Sequence, residues 1–392
     1  ARFRFLTCAS AFAVSSGRRG RASASDSSAC SAPGASGSGR EGARLRCRAT
    51  KAGGLAVEEN VPLAGYCSFG IGGPARYFAK ARTLEDVRDA CRFVRAEGLR
   101  FMVVGKGSNL LFDDRGFDGF VLVNELSFLD GDIPQAFPNR AKTKGSGGDD
   151  DVVGRGGTSS EGTLRVRVGS GYPFNTLGQL LSSAGWGGLE FATGIPGTVG
   201  GAVFMNAGAN GRETKESLVS VEYVTKGGES RELHVGGGGE EGGPKTRFGY
   251  RTSPFQSDED FGAIVAATFE LRADPEAKAR ARQYMQRRGA SQPLKEKSAG
   301  CVFRNPSGCS PTNLSAGALI DRAGLKGATV GSAQVSCVHA NYLVVASGNE
   351  SSRPSRDMKD LIALVKKEIK QQTGVDLQEE IRIVPFQAEG ME

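Results

Sequence analysis

Three side chains that can bind an anion or move a proton lie in separate short segments: Arg251 in FGYRTSPF, Cys301 in SAGCVFRNP and Glu380 in LQEEIR. Cys301 has small neighbours and is followed by Asn305 and Pro306, a pattern typical of a side chain presented at a turn. Each also has an ordinary structural interpretation, because a lone cysteine is often inert core and a lone charged residue is often solvated surface. Taken singly, the segments leave catalysis and structure both open.

Two glycine-rich segments can bring backbone close to a ligand. Gly105–Asn109 (GKGSN) follows an apolar run, and its glycines let backbone N–H groups converge on phosphate oxygens. It is neither a P-loop nor a dinucleotide fingerprint, whose third glycine would fall at Leu110, and an ordinary turn is the alternative. Residues 191–211 carry no charge but contain six glycines and Pro196, a composition that excludes a membrane helix. Asn206 inside that segment favours contact with a flat, polyphosphate-bearing cofactor over pure packing.

The elements that must position these residues alternate between helices and strands. Helices are predicted at 83–98, 178–184, 275–289 and 355–373, strands at 100–104, 164–168 and 375–384, and low-complexity insertions at 128–163 and 226–246. The first helix has the clearest limits, with Thr83 as its N-cap and Gly98 as its end. We therefore expect an α+β chain of two or three subdomains.

The formal net charge of +7 comes entirely from residues 1–50, which hold nine arginines, no lysine and two acidic residues. Ten serines and eleven alanines complete a composition typical of a disordered organelle transit peptide, with a plain disordered tail as the alternative. The remainder carries 41 basic and 41 acidic residues, so it has no electrostatic footprint for nucleic acid or an anionic membrane. Eight cysteines without a CxxC pair, and only two histidines, predict free thiols and no metal site.

Taken together, the motifs resemble the UDP-N-acetylenolpyruvoylglucosamine reductase family. The blocks that carry the resemblance are Asn60–Leu63, Tyr66–Gly73, Gly105–Leu111, Gly194–Gly201, Tyr250-Arg251, Ser298–Pro306, Gly317–Asp321, Val335–Asn341 and Glu380. They cover about residues 55–386 apart from the two insertions. The short spacing between Phe255 and the helix at 275 resembles the class of this family that lacks an extra tyrosine loop.

The resemblance implies a PCMH-type, vanillyl-alcohol-oxidase-like fold. An FAD-binding domain of two subdomains would span 55–272, and a C-terminal α+β substrate-binding domain would span 285–386. It also implies non-covalent FAD, NADPH as reductant, and reduction of the enolpyruvyl group of UDP-N-acetylglucosamine enolpyruvate to UDP-N-acetylmuramate in peptidoglycan precursor synthesis. We expect a monomer whose partner is the UDP-sugar substrate, without nucleic acid or membrane. Because of that function, we expect the transit peptide to direct it to the plastid (chloroplast) stroma.

The resemblance also implies roles for individual residues. The residues expected to bind FAD are Gly105, Gly107, Ser108, Asn109, Gly194, Ile195, Pro196, Gly197, Gly200, Gly201, Asn206 and Gly208. Those expected to bind substrate are Tyr250, Asn305, His339 and Asn341. Arg251 and Glu380 would stabilise an enol-like intermediate, and Cys301 would then protonate it. Cys301 stands where most relatives carry serine, Gly70 stands where a basic residue is usual, and residues 311–315 resemble an insertion.

Two alternatives stand beside this interpretation, one a flavoprotein of the same fold and one from a different functional class. An oxidase of small alcohols or lactones with the same fold often attaches FAD through histidine, but His234 lies in the second predicted insertion and His339 in the substrate half. A non-catalytic relative should have lost Arg251 and Glu380, and both are present. The charge of Cys301 stays open, because a nearby arginine favours the thiolate and burial favours the thiol.

Overall fold

The computed structural model describes residues 49–131, 162–235, 248–306, 313–346, 348 and 350–387. The predicted transit peptide, except for its last two residues, lies outside the described residues, as do the central part of the first insertion and the end of the second. Among the residues that are described, no helix is both long enough and apolar enough to cross a membrane.

Helices and strands alternate along the described residues. The helices are α1 (Leu84–Ala96), α2 (Phe174–Ser183), α3 (Val199–Phe204), α4 (Ala277–Ser291), α5 (Ala316–Arg322) and α6 (Pro354–Thr373), with 3-10 turns at Leu63–Tyr66, Glu190–Gly194, Thr214–Ser217 and Pro254–Gln256. The strands are β1 (Ala49–Ala52), β2 (Leu55–Pro62), β3 (Pro74–Ala81), β4 (Phe101–Val104), β5 (Leu110–Phe112), β6 (Phe117–Asn124), β7 (Leu129–Asp130), β8 (Thr163–Gly169), β9 (Trp186–Gly187), β10 (Gly208–Ala209), β11 (Arg212–Glu213), β12 (Leu218–Thr225), β13 (Ser230–His234), β14 (Phe261–Ala273), β15 (Thr329–Val330), β16 (Ala333–Val335), β17 (Leu343–Val345) and β18 (Arg382–Val384).

Two sheets form the part of the fold that the sequence predicts to bind FAD. The first has the strand order β1-β2-β3-β6-β4, in which β3 and β4 both run parallel to β6. The second has the order β13-β12-β14-β8-β7 and is antiparallel throughout. Helix α1 lies between the two sheets, because its buried face packs with residues of β6 and of β12 and β14 in a single core. Its limits are those that the sequence predicts: Thr83 and Asp86 form a capping box, and Gly98 adopts a φ of +61°.

The C-terminal part is not a separate globule, because it shares its core with the first sheet. Phe303, Leu361 and Val384 pack in the same hydrophobic cluster as Phe78 and Val121, which belong to β3 and β6 of the first sheet. Strand β18 also pairs in parallel with β5. The Asn109 Nδ2 donates to the Glu380 carbonyl at 3.2 Å, so the glutamate segment of the C-terminal part lies against the GKGSN loop, which directly precedes β5.

Three predicted elements differ from those in the structure. The predicted insertion at 128–163 contains β7, which pairs with β8. The predicted strand at 375–384 is reduced to β18, because Glu379 and the residues beside it bridge to the segment at Phe303 instead of continuing a sheet. The predicted insertion at 226–246 begins inside a β-hairpin, since β13 pairs with β12 over Ser230–His234. That strand is mostly exposed and polar, so its sequence lacks the apolar alternation by which strands are recognised.

Candidate active site

One cavity of about 970 Å³ brings the separate motifs together. Its walls include both glycine segments and all three residues predicted to be catalytic. The predicted residues that line it are Gly105, Gly107, Ser108, Asn109, Ile195, Pro196, Gly197, Gly200, Gly201, Gly208, Arg251, Cys301 and Glu380. A volume of this size suits a large ligand bound in an extended form.

The two glycine segments are in direct contact, and this contact requires glycine. A Cβ atom on Gly105 would lie 2.3 Å from the Thr198 Oγ1, and one on Gly107 would lie 1.9 Å from the Tyr66 carbonyl oxygen. The Ser108 hydroxyl donates to the Pro196 carbonyl at 2.7 Å. Backbone of both segments therefore reaches the cavity wall without intervening side chains, which fits the close approach of a phosphate-bearing cofactor such as FAD.

Two of the residues predicted to bind FAD lie outside the cavity lining. At Gly194, an added Cβ would lie 2.8 Å from the Cδ of Arg288, so this glycine makes room for a side chain. Asn206 is fully buried, and its amide donates to the Glu213 carboxylate and the Gly249 carbonyl, while its Oδ1 accepts from the Lys215 N–H. These contacts give Asn206 a structural role in fixing the turn before Arg251.

Arg251 lies in a tight turn closed by reciprocal backbone hydrogen bonds between Gly249 and Thr252. Its φ of +58° belongs to the left-handed region that favours glycine, so the position of its side chain is held against a backbone cost of about 1–2 kcal/mol. The Arg251 Nε lies 2.5 Å from the Glu380 Oε1, and its Nη2 donates to the Gly208 carbonyl at 3.1 Å. The Tyr250 hydroxyl lies 3.4 Å from the second oxygen of Glu380.

Burial and charge set the protonation of this cluster. The side chains of Arg251 and Glu380 are 18% and 12% exposed. Burial opposes the charge on Arg251, but the neighbouring Glu380 outweighs it and leaves the pKa of Arg251 raised. For Cys301, burial and then Glu380 raise the pKa of the thiol to about 11, against the opposing effect of Arg251 and Arg288. Burial therefore prevails, and Cys301 is a neutral thiol at physiological pH.

The cysteine and glutamate segments are held side by side by backbone contacts. Cys301 bridges to Tyr342 and Phe303 bridges to Glu379, so residues 301–303 lie between two other chain segments. The Glu380 N–H donates to the Val302 carbonyl at 2.7 Å. The positions of the Cys301 and Glu380 backbones are thereby fixed relative to each other.

The four residues predicted to bind substrate fall into different places. Tyr250 is 45% exposed and meets Glu380, which places it beside the catalytic cluster. Asn305 accepts from the Ala316 N–H at 3.1 Å through its Oδ1. His339 accepts from the Asn341 N–H at its Nδ1, and burial, with Lys326, lowers the pKa of His339. Asn341 is 3% exposed, and none of the four residues predicted to bind substrate lines the cavity.

Comparison with known proteins supplies the family. Residues 292–384 match the family described as UDP-N-acetylenolpyruvoylglucosamine reductase, C-terminal domain, and residues 156–234 match an FAD binding domain. The UDP-N-acetylenolpyruvoylglucosamine reductase of Protochlamydia amoebophila is 42% identical over 329 residues, which is 84% of this chain and 94% of that protein. The chain belongs to the UDP-N-acetylenolpyruvoylglucosamine reductase family.

Further members of the reductase family give the same result. The enzyme of Chlamydia trachomatis serovar L2 is 40% identical over 332 residues, covering 85% of this chain and 97% of that protein. The solved reductase of Thermus caldophilus is 30% identical, with a TM-score of 0.60 over 84% of this chain and all of that one. The family and the predicted flavoprotein fold with its C-terminal substrate domain are confirmed, and the chain is an FAD-dependent oxidoreductase.

Several charged and aromatic residues of the reductase cavity were not among the predicted site residues. Arg288, Tyr342 and Arg382 all line it. Arg382 stands two positions after Glu380, so the two-residue period of extended chain could have indicated that both face the same side. Arg288 lies on the basic helix α4, where nothing distinguishes it from its solvated neighbours, and only the packing of α4 against Gly194 brings it to the cavity.

Proposed function

We propose that this protein reduces the enolpyruvyl group of UDP-N-acetylglucosamine enolpyruvate to give UDP-N-acetylmuramate, with NADPH as reductant, in peptidoglycan precursor synthesis. The observation that carries the proposal is the meeting of Arg251, Glu380 and a neutral Cys301 on the wall of one FAD-sized cavity. The family relationship supports the same reaction.

The glycine segments Gly105–Asn109 and Ile195–Gly201 would hold FAD non-covalently through backbone groups. FAD, when bound, supplies the transfer of hydride from NADPH to the methylene carbon of the enolpyruvyl group. The protein supplies the position of the reactants and the charges around them.

Addition of hydride to the methylene carbon places negative charge on the neighbouring carbon and its carboxylate. Arg251 would stabilise that charge, since its guanidinium is fixed before the reaction by Glu380 and by the Gly208 carbonyl. Glu380 thereby holds the orientation of Arg251, and the Tyr250 hydroxyl holds the other oxygen of Glu380.

Cys301 would complete the reaction by donating its thiol proton to that neighbouring carbon. The raised pKa of Cys301 keeps the proton in place until the carbanion-like charge develops. Arg251 and Arg288 lower the pKa of the thiol, so both stabilise the thiolate that remains after the transfer. Water can then return the proton to the thiolate.

Anaerobic stopped-flow measurement of flavin absorbance tests the reaction in two halves. NADPH should bleach the flavin, and the enolpyruvyl substrate should restore its colour. Cys301→Ser should retain substantial turnover, because a hydroxyl is the usual donor of the family, whereas Cys301→Ala should be reduced normally and reoxidised very slowly. Reduced protein that the enolpyruvyl substrate does not reoxidise would refute the proposal.

We also propose that the protein is a monomer of the plastid stroma. The support for its location is the arginine-rich, acid-poor composition of residues 1–50. A reporter carrying residues 1–50 should reach plastids, and cytosolic signal would argue against it. The support for a monomer is that one chain supplies the whole catalytic cluster, and light scattering of the purified protein would test it.

A further inference from the structure

We propose that Asn341 is a positioning residue, which holds the segment carrying Cys301 in register with Glu380. The proposal rests on the reaction described above, because it assigns a purpose to the register of the two catalytic residues. It replaces the substrate contact that the sequence suggests for Asn341, since this side chain is 3% exposed and lies outside the cavity lining.

The amide of Asn341 makes two hydrogen bonds to one residue of the cysteine segment. Its Oδ1 accepts from the Phe303 N–H at 2.9 Å, and its Nδ2 donates to the Phe303 carbonyl at 2.8 Å. The backbone carbonyl of Asn341 accepts from the Val302 N–H at 2.9 Å. Three hydrogen bonds therefore fix the two residues that directly follow Cys301.

The cysteine segment is also hydrogen-bonded to the segment that carries Glu380. The Val302 carbonyl accepts from the Glu380 N–H at 2.7 Å, on the side opposite to the Val302 N–H that Asn341 binds. The Arg304 N–H donates to the Gln378 carbonyl at 2.8 Å, which extends the same alignment. Residues 301–303 are therefore held from two sides, by Asn341 and by the segment that carries Glu380, and loss of the Asn341 side-chain bonds leaves Cys301 free to shift relative to Glu380.

Asparagine suits this position because the site needs one donor and one acceptor on a short side chain. Aspartate in its charged form keeps the acceptor but turns an oxygen toward the Phe303 carbonyl, which leaves that buried carbonyl without its donor. Protonated aspartic acid restores the donor with the same shape. This difference supplies a reversible test of the hydrogen bond itself.

A misplacement of reacting groups by about 1 Å can cost about 10²-fold in rate. For Asn341→Ala we therefore expect reoxidation of the reduced enzyme by the enolpyruvyl substrate to slow about 10- to 100-fold. Reduction of the flavin by NADPH should change less than about twofold, because that step does not use Cys301 or Glu380. Equal slowing of both half-reactions, or of neither, would overturn the proposal.

Asn341→Asp provides the second variant. Burial raises the pKa of a carboxyl, so the introduced aspartate should become protonated as the pH falls from about 9 to about 6. The reoxidation rate of Asn341→Asp should therefore recover over that range, while Asn341→Ala shows no recovery. His339 accepts from the Asn341 N–H, and Glu379 bridges to Phe303, so both titratable groups lie close by. The wild-type pH profile, measured in parallel, accounts for them. A profile of Asn341→Asp parallel to that of the wild type would contradict the inferred hydrogen bond.

Thr225→Val is the matched control. Thr225 is 1% exposed and does not line the cavity, and its hydroxyl accepts from the N–H groups of Gly227 and Glu229 in a hairpin turn of which only Lys226 reaches the cavity lining. Its loss removes two side-chain hydrogen bonds of a buried residue, as Asn341→Ala does, and should lower the melting temperature without separating the half-reactions. Separation of the half-reactions in this control would show that general destabilisation explains the effect.

Alkylation of Cys301 in the substrate-free holoenzyme supplies a readout that needs no turnover. Release of the segment should make Cys301 react faster with iodoacetamide in Asn341→Ala than in the wild type, and no such increase in Thr225→Val. Unchanged alkylation in Asn341→Ala would count against a positioning role. If wild-type enzyme fails to turn over the enolpyruvyl substrate, the proposed reaction is wrong, and the alkylation rates still decide whether Asn341 holds the segment.

Discussion

The neutral thiol of Cys301 leads to a quantitative prediction about its reactivity. Burial raises the pKa of this thiol from the ordinary value of 9.0 to about 11. At pH 8 the reactive thiolate should then fall from about one tenth of the molecules to about one thousandth, so alkylation should slow about 100-fold. Its rate should rise about tenfold per pH unit up to about pH 10.

Peptide mass spectrometry after timed exposure to iodoacetamide measures this rate for Cys301 in the native holoenzyme. The same peptide in urea-denatured protein gives the reference rate, and the exposed Cys337 reports that the reagent is active in the native sample. Steric shielding alone would lower the rate without moving its pH midpoint. A native midpoint at or below pH 9 would refute the argument that burial outweighs Arg251.

Three further outcomes test other parts of the structure. Glu380→Gln should slow reoxidation by the enolpyruvyl substrate about 10²- to 10³-fold while NADPH still reduces the flavin, and equal damage to both steps would assign this residue to the fold. Gly105→Ala should lower the ratio of bound flavin to protein, because its Cβ would lie 2.3 Å from a facing hydroxyl, whereas Gly289→Ala, with open space around it, should bind flavin normally. Lys359→Met should lower the melting temperature at pH 7 but have little effect near pH 2. Burial opposes ionisation of Asp113, but hydrogen bonds from cationic partners, among them Lys359, depress the pKa of Asp113 to about 2. The stabilisation by this ion pair is therefore present above about pH 4 and lost as the pH falls through about 2. An equal loss at both pH values would exclude the ion pair as the cause.

Local sequence was sufficient for some elements of the fold. Helix α1 begins at the capping box of Thr83 and ends before Gly98, as expected, because the signals for both ends lie within a few residues of them. Strand β13 was missed, because its exposed, polar residues become a strand only through pairing with β12. The predicted strand at 375–384 was too long, because Glu379 and Glu380 pair with the cysteine segment from a distant part of the chain.

The sequence by itself determined the family and predicted the catalytic groups. Motifs such as Gly105–Asn109 consist of adjacent residues, so they can be recognised without a structure. The glycine that allows the two glycine segments to touch, Gly105, is part of such a motif. The ability of Arg251, Cys301 and Glu380 to bind an anion or move a proton is likewise a property of these residue types.

Only the tertiary structure decided the protonation states and the hydrogen-bond partners of the polar side chains. The charge of Cys301 depended on whether burial or Arg251 prevailed, and burial comes from segments far apart in the sequence. Asn206 and Asn341 have polar side chains that suit a ligand equally well, yet packing places both amides against protein backbone. Arg288 reaches the cavity only because α4 packs against Gly194. Desolvation and hydrogen-bond partners depend on which segments the fold brings into contact, and adjacent sequence does not contain that information.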